Sequence, residues 1–473
     1  MKNNIKSNVL LLVVDSLNAN KCSSKTKTTK TPNIDRLLNI GTNFKQCITS
    51  SSNTTPSISS MLTSKFAFEC MTDKKDLYIL DKKQPNFIDI FKKSGFNVMT
   101  TYKTLLPFLN LDTKINSSNS NNYRVTRKGL AEMIISDLEQ IKNNEPWFYY
   151  IHLHDLHESD AYLSSDDPEE LFDEEYGKNQ YERIVSSIDV WIGKFLEKID
   201  LDNTLVILTA DHGTINANFT KELEDYNQNF NTRQSTTLKI GQKATSKTPG
   251  ILKPLKKKVS NYYLKNKTDS KKKNIENELN KLDSQNITPY EKRIKRTILL
   301  GESNVYDERF CVPLIFTGSG VPSGKTIPYQ VRSVDIFPTI ADIVGIPQID
   351  NIRGKSLIPM FNDEENNDRP AFIESATNSP KSKSSDVVGM RTPTHKYFRD
   401  RNDSSKNIHL YDLKNDPLEE YNIANDNSEI IEKMEKMLQD IQGENGFRFG
   451  EANALTKEES EDAIKVLKEL GYL

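Results

Sequence analysis

Near its start the chain carries an unbroken apolar run, Asn8 to Val14 (NVLLLVV), with no polar position to alternate against. Such runs fit strands buried on both faces, as in a parallel sheet covered by helices. Three more follow at Trp147–Leu153 (WFYYIHL), Thr204–Thr209 (TLVILT) and Val312–Thr317 (VPLIFT). Between them, Pro32–Leu38, Asn86–Ser94 and Leu130–Ile141 have helical spacing. The clearest case is Tyr181–Ile199, where Ile184, Ile188, Trp191, Ile192 and Phe195 share one face. Alternating strands and helices predict an α/β protein, an αβα sandwich around a large mixed, mostly parallel sheet, with functional groups at the carboxyl ends of strands. After about residue 370 the pattern changes to short β-like pieces, Ala371–Glu374, Val387–Met390, Tyr397–Arg399 and His409–Asp412, and a periodic helix from Ser428 to Gln442. The expected division is a main domain over 1–370 and a small antiparallel-sheet and helix subdomain over 371–473.

Composition narrows the class. Of 473 residues, 36% are hydrophobic and 27% charged, which excludes collagen-like and wholly disordered chains. Lys and Arg total 64 against 66 Asp and Glu, so the net charge of −2 points to no specific nucleic-acid partner. Four scattered cysteines make neither a disulfide framework nor a zinc ribbon. The opening apolar run is too short for a signal peptide or a membrane span, and the expectation is a soluble, cytoplasmic protein.

Charge is unevenly placed. Asn231 to Leu300 holds 18 Lys/Arg and 5 Asp/Glu, a surplus of 13 that leaves −15 on the rest of the chain. This predicts a basic, flexible insertion over about 219–300, which either is simply solvated or docks to a polyanion or an anionic membrane surface. Nine carboxylates between Glu158 and Glu175 read as a solvated loop entering a helix.

Three points carry candidate chemistry. Asp15 ends the first strand, Thr54-Thr55-Pro56 precedes an apolar helical stretch, and Asp211-His212-Gly213 ends the TLVILT strand. Each alone fits a turn or a cap. Together, two carboxylates, an imidazole and a hydroxyl make a mixed N/O site for a divalent cation. A metal beside the Thr54 hydroxyl would lower its pKa, and the helix amino terminus would favour an anionic group.

The chain resembles the sulfatase family of the alkaline phosphatase superfamily. NVLLLVVDSLNAN is similar to its opening strand and metal aspartate, and TPNIDRLLNIGTNF with TTPSISSMLTS to its helix and nucleophile elbow. YIHLHDLH resembles its His-rich strand end and TADHG its second metal motif. VYDERFCVPLIFTGSG, RSVDIFPTIADIVGIP, VVGMRTPTHKYFRD, LYDLKNDPLEEYNIA and LKELGYL are similar to later segments. The resemblance implies an alkaline phosphatase-like fold, metal ligation by Asp15, Thr54, Asp211 and His212, and a catalytic nucleophile at Thr54. It further implies substrate or leaving-group contacts from His152 and His157, and an anion-binding Lys103 in a loosely matching segment. His154 shares a strand face with His152, so one of the two is expected to be structural.

Departures from the family pattern shift the expected chemistry. Thr54 stands where the family makes formylglycine from Cys or Ser, and oxidising Thr there would give a ketone, so no formylglycine is expected. Ile58 replaces the elbow arginine and Ser16 the second aspartate, and no histidine precedes Tyr306 at 300–304. These losses imply one divalent ion, Mn²⁺, Mg²⁺ or Ca²⁺, with Zn²⁺ also compatible. The first reading is a metal-dependent hydrolase or transferase on phosphate esters, its substrate an anionic ester such as a glycan or lipid-linked precursor. The alternatives are a sulfuric ester hydrolase using the same Thr, and a degenerate, non-catalytic binder of anionic glycans.

Overall fold

The run at Asn8–Val14 forms strand β1, buried at all seven positions, at the centre of the sheet. The computed structural model describes residues 7–73, 78–101, 106–111, 116–117, 123–157, 167–215, 275–282, 284–300, 305–375, 386–443 and 446–451. In chain order the main sheet continues with β2 (Thr42–Ile48), β3 (Asn97–Thr100), β4 (Asn116–Ser117), β5 (Trp147–Leu153), β6 (Thr204–Thr209), β7 (Cys311–Gly318) and β8 (Lys325–Arg332). Its strand order is β8-β2-β7-β6-β1-β5-β3-β4. Only β7 runs antiparallel to its neighbours, β2 and β6, so the sheet is mixed and mostly parallel, as the apolar runs imply.

The helices include α1 (Pro32–Ile40), α2 (Thr54–Thr63), α3 (Phe87–Lys93), α4 (Leu130–Ile141), α5 (Gln180–Leu196) and α6 (Ile336–Val344). On α5 the spacing of Ile184, Ile188, Ile192 and Phe195 buries them in the main core. The helix also caps its neighbour. Its buried Asp189 accepts from the Asn33 and Ile34 backbone amides at 3.1 and 2.7 Å, satisfying donors that the first turn of α1 leaves open.

Strands β2 and β8 were not expected from the pattern. TNFKQCI has adjacent polar pairs and no period-two alternation, and KTIPYQVR contains Pro328. The register of β8 against β2 shifts between Ile327 and Gln330, at the sheet edge, which is where a proline is tolerated within a strand.

A second, four-stranded antiparallel sheet runs β9 (Ala371–Ser375), β10 (Val387–Arg391), β11 (His395–Asp400), β12 (His409–Asp412) in that order. Helix α7 (Ser428–Gln439) packs on it through Met434 and Leu438. Residues 218–302 with 418–421 form a separate compact unit. Most of the basic segment lies outside the described residues. Within it, however, 275–282 and Pro289–Leu300 are helical, where a flexible run was expected. Within the second helix Ile294 and Leu299 are buried while Arg296 is exposed. Among the described residues no helix is long and apolar enough to cross a membrane.

Candidate functional site

Strand register assembles the site. β1 pairs in parallel with β6 (Val13 with Thr209) and with β5 (Val13 with His152), so all three strands end at one level. Asp15 follows β1, Asp211 and His212 follow β6, and His152 and His154 close β5. Thr54 opens α2, whose ten residues are all buried.

Asp15, Thr54, Asp211 and His212 are buried and share one centre. His212 Nε2 lies 3.2 Å from Thr54 Oγ1, 3.6 Å from Asp211 Oδ2 and 4.0 Å from Asp15 Oδ1. The Gly213 carbonyl accepts from His212 Nδ1 at 2.9 Å; because a carbonyl cannot donate, the ring proton sits on Nδ1 and Nε2 offers its lone pair. Ser57 Oγ donates to the Asp211 carbonyl at 2.6 Å, tying the helix start to the end of β6. Gly213 is required here, since a Cβ would sit 2.2 Å from the Glu308 carbonyl.

Ser16 orders the two carboxylates. Its backbone adopts φ +63°, held by Tyr181, whose hydroxyl donates to the Ser16 carbonyl at 2.8 Å. The Ser16 amide donates to Asp211 Oδ1 at 3.2 Å and its hydroxyl to Asp15 Oδ1 at 2.8 Å. Ser16 is therefore a hydrogen-bond donor where the family pattern has an acid. Ile58, at the elbow arginine's position, is buried in the main core and offers the site nothing polar.

The β5 histidines surround the other oxygen of Asp15. His152 Nε2 is 3.5 Å and His154 Nε2 3.3 Å from Asp15 Oδ2, and the His154 and His157 rings lie 4.4 Å apart between centroids. Burial alone would raise the Asp15 pKa, but His154 and His152, with His157 and His212, hold its carboxyl well below the usual range. Half-buried His157 thus joins the cluster from its outer side. Lys103 and residues 301–304 lie outside the described residues.

The donor set fits a single cation. Ligand atoms of Asp15, His152 and Asp211 all lie within 4.8 Å of one another. Asp211 Oδ1 accepts from the Ser16 and His212 amides, whereas its buried Oδ2 has no hydrogen-bond partner among the described residues. An unsatisfied carboxylate oxygen facing a second buried carboxylate is costly unless a positive charge lies between them.

Sequence reasoning missed the supports of the cluster: Tyr150, Arg124 and Asp155. Strand alternation puts Tyr150 on the face of His152, and its hydroxyl lies 2.6 Å from His152 Nδ1. Asp155 accepts from the Thr126 amide (3.0 Å) and hydroxyl (2.5 Å) and lies 3.8 Å from Arg127. Burial pushes the Asp155 carboxyl up to about 6 against the pull of these partners. A folded pKa above the unfolded value means a contribution to stability that is complete below about pH 4 and is lost as pH rises through about 6. Stability of Asp155→Asn relative to the parent should therefore improve by up to about 3 kcal/mol between about pH 4 and about pH 7 in urea unfolding. A flat difference would show that Thr126 and Arg127 keep Asp155 ionised throughout.

Comparison with known proteins agrees with this geometry. The sulfatase family model matches residues 7–346, and the model for the N-sulphoglucosamine sulphohydrolase C-terminal region matches residues 300–444. Arylsulfatase K of Bos taurus is 33% identical over 144 residues, 29% of this chain and 26% of that protein; the Homo sapiens protein is 31% identical over 144 residues, covering 27% of its length. The matched stretch thus spans about a quarter of these relatives. Among solved structures, one in complex with its substrate D-glucosamine-2-N,6-O-disulfate superposes with a TM-score of 0.61 at 16% identity, covering 92% of this chain and 97% of the other. The phosphonate monoester hydrolase of Agrobacterium radiobacter gives 0.58 at 14% identity, covering 92% and 95%. At these identities the two structures speak for the fold, which is that of the alkaline phosphatase-like sulfatases, and the family-model match extends over most of the chain: the protein belongs to the sulfatase family.

Proposed function

We propose that the protein is a metal-dependent sulfuric ester hydrolase acting on a sulfated glycan or small sulfate ester, with Thr54 as its nucleophile. The observation carrying this reading is Thr54 Oγ1 at 3.2 Å from the lone pair of His212 Nε2, at the start of a buried helix and beside two buried carboxylates. The arylsulfatase K similarity supports the sulfate ester, and the neighbour solved with a disulfated glucosamine supports a glycan. The basic segment from Asn231 to Leu300 suits an anionic polymer.

A divalent ion held by Asp15, Asp211 and His212 would supply the positive charge that an anionic ester needs next to these carboxylates. The chain's own groups do the rest. Thr54 Oγ attacks sulfur, forming the Oγ–S bond as the bond to the leaving oxygen breaks. His157 or His152 gives that oxygen a proton, and the Thr54 proton passes to solvent water, since a His212 that holds an ion has no lone pair left to take it. Water then attacks sulfur, restoring the Thr54 hydroxyl and releasing sulfate, so one ester and one water give one alcohol and one hydrogen sulfate. Thr54 enters as a plain hydroxyl and no formylglycine takes part.

One observation favours a second reading, phosphate ester hydrolysis or transfer. A threonyl ester lacks the geminal hydroxyl that lets formylglycine expel its sulfate, and direct attack by water or an acceptor alcohol on phosphorus is a standard resolution of such an ester. A panel of aryl sulfate, phosphate monoester and phosphate diester separates the readings. Higher kcat/KM on the sulfate supports the first, and higher kcat/KM on a phosphate ester replaces it with the second. No turnover of any ester by metal-loaded protein would leave an anionic-glycan binder.

A further inference from the structure

The alcohol side of the proposed reaction has a cation of its own. We propose that Arg124 receives a second anionic group, carried by the alcohol part of the substrate, so that the site prefers esters bearing that extra charge. This rests on the reading of Thr54 as the nucleophile toward an anionic ester.

Position singles out this guanidinium. Thr54 and His212 stand on the Oδ1 side of Asp15, with His212 Nε2 3.2 Å from Thr54 Oγ1 and 4.0 Å from Asp15 Oδ1. His152 and His154 stand on the Oδ2 side, at 3.5 and 3.3 Å. In-line displacement puts the leaving oxygen across sulfur from Thr54 Oγ, so the alcohol extends over the histidines. Arg124 Nη2 lies 3.3 Å from His154 Nδ1, and the His157 ring packs against that of His154. One imidazole therefore separates the guanidinium from Asp15, on the side away from Thr54. It meets the alcohol and not the group under attack.

The loop is built to hold that charge in place. Two residues after Arg124, Thr126 donates its amide and hydroxyl to the buried Asp155 just beyond the end of β5, at 3.0 and 2.5 Å. Val125 is buried between them. Arg127 Nε donates to Asp167 at 2.6 Å, and its Nη1 is 3.8 Å from Asp155, so this second guanidinium is met by two buried carboxylates. Arg124 itself is half-buried and keeps a solvent-facing part. A guanidinium takes two oxygens of one anion at once, and holding it in place beforehand lowers the entropy cost of doing so.

The test uses the full chain, metal-loaded, with meta- and para-carboxyphenyl sulfate, each compared with its methyl ester. The ester has the same reacting end and lacks the second charge. The parent should favour at least one acid over its ester by about tenfold or more in kcat/KM, the effect of a charge-assisted contact. In Arg124→Gln, which keeps an N–H toward His154, that ratio should fall to within about threefold of unity, and Arg124→Lys should restore part of it. A merely structural role would lower acid and ester alike. That result, a parent without preference for either acid, or a preference that survives in Arg124→Gln overturns the proposal. A sulfonate in place of the carboxylate tells a sulfate-like second group from a carboxylate, and an Arg124-dependent preference for either supports the site. Should Arg124→Gln fail to fold, the ratios of the parent and of Arg124→Lys still decide. Without turnover, dissociation constants for the same pairs give the same ratio by calorimetry. An Arg124-dependent preference in binding alone would sink the proposed hydrolysis and leave this site standing. Turnover of the sulfates without preference would do the reverse.

Discussion

Thr54→Ala should abolish ester turnover while leaving the urea-unfolding midpoint close to that of the parent. The substitution removes a hydroxyl and a methyl from the first turn of α2, where alanine is a good helix former, so the folded state loses little. The reaction loses its nucleophile, and a fall in kcat of about a thousandfold or more is expected, with residual rate from the remaining site. Thr54→Ser retains the attacking oxygen and should keep turnover within about tenfold. Thr55→Ala checks the register of the elbow: in the folded chain Thr54, not Thr55, makes the 3.2 Å contact with His212. An active Thr54→Ala beside an inactive Thr55→Ala would move the nucleophile by one residue. Activity in both would transfer attack to water.

The largest expected effect on stability lies away from the chemistry, where the two sheets are joined. Asp307 receives a two-pronged contact from Arg391, Nη2 to Oδ2 at 2.8 Å and Nε to Oδ1 at 3.2 Å, and pairs with Lys396, a lysine with a fully buried side chain. Arg391, on β10, also donates to Gln46 of β2 at 2.9 Å and to Gln330 of β8. Asp307→Ala leaves a buried lysine and a buried arginine without their counter-charge, a loss of about 3–5 kcal/mol. Urea unfolding at neutral pH measures it. Despite the opposing effect of burial, Arg391 and Lys396 hold the Asp307 carboxyl well below its ordinary value. Its contribution is therefore complete above the unfolded pKa of about 3.9 and is lost as pH falls further. The gap between parent and variant should narrow only in strong acid; a gap that closes near neutrality would contradict this assignment.

Much of the fold was legible because its central strands are monotonous. β1, β5 and β6 are buried on both faces, so their sequences read as apolar runs, and the strand ends located Asp15, Asp211 and His212. β2 and the edge strand β8 escaped because Lys45 and Gln46 break the apolar spacing of the one and Pro328 interrupts the other, which weakens both periodicities. At the site, motif order could name Asp15, Thr54 and Asp211 but not the partners that set their states. Ser16 reads as a lost aspartate and folds as a donor to two carboxylates. His152 and His154 are two residues apart on one strand face and indistinguishable by pattern, yet they meet different partners, the Tyr150 hydroxyl at His152 Nδ1 and the Arg124 guanidinium at His154 Nδ1. Such distinctions depend on hydrogen bonds that reach across neighbouring segments, which no local spacing records.

The central claim, that Thr54 attacks a sulfate ester, is tested most directly by quenching metal-loaded enzyme rapidly during turnover of an aryl sulfate and locating the covalent adduct by peptide mass spectrometry. The account predicts a sulfo group on Thr54, absent from Thr54→Ala and from enzyme incubated without substrate. A phosphoryl group trapped on Thr54 from an aryl phosphate turned over faster than the sulfate, or sustained sulfate-ester turnover by Thr54→Ala, would contradict it.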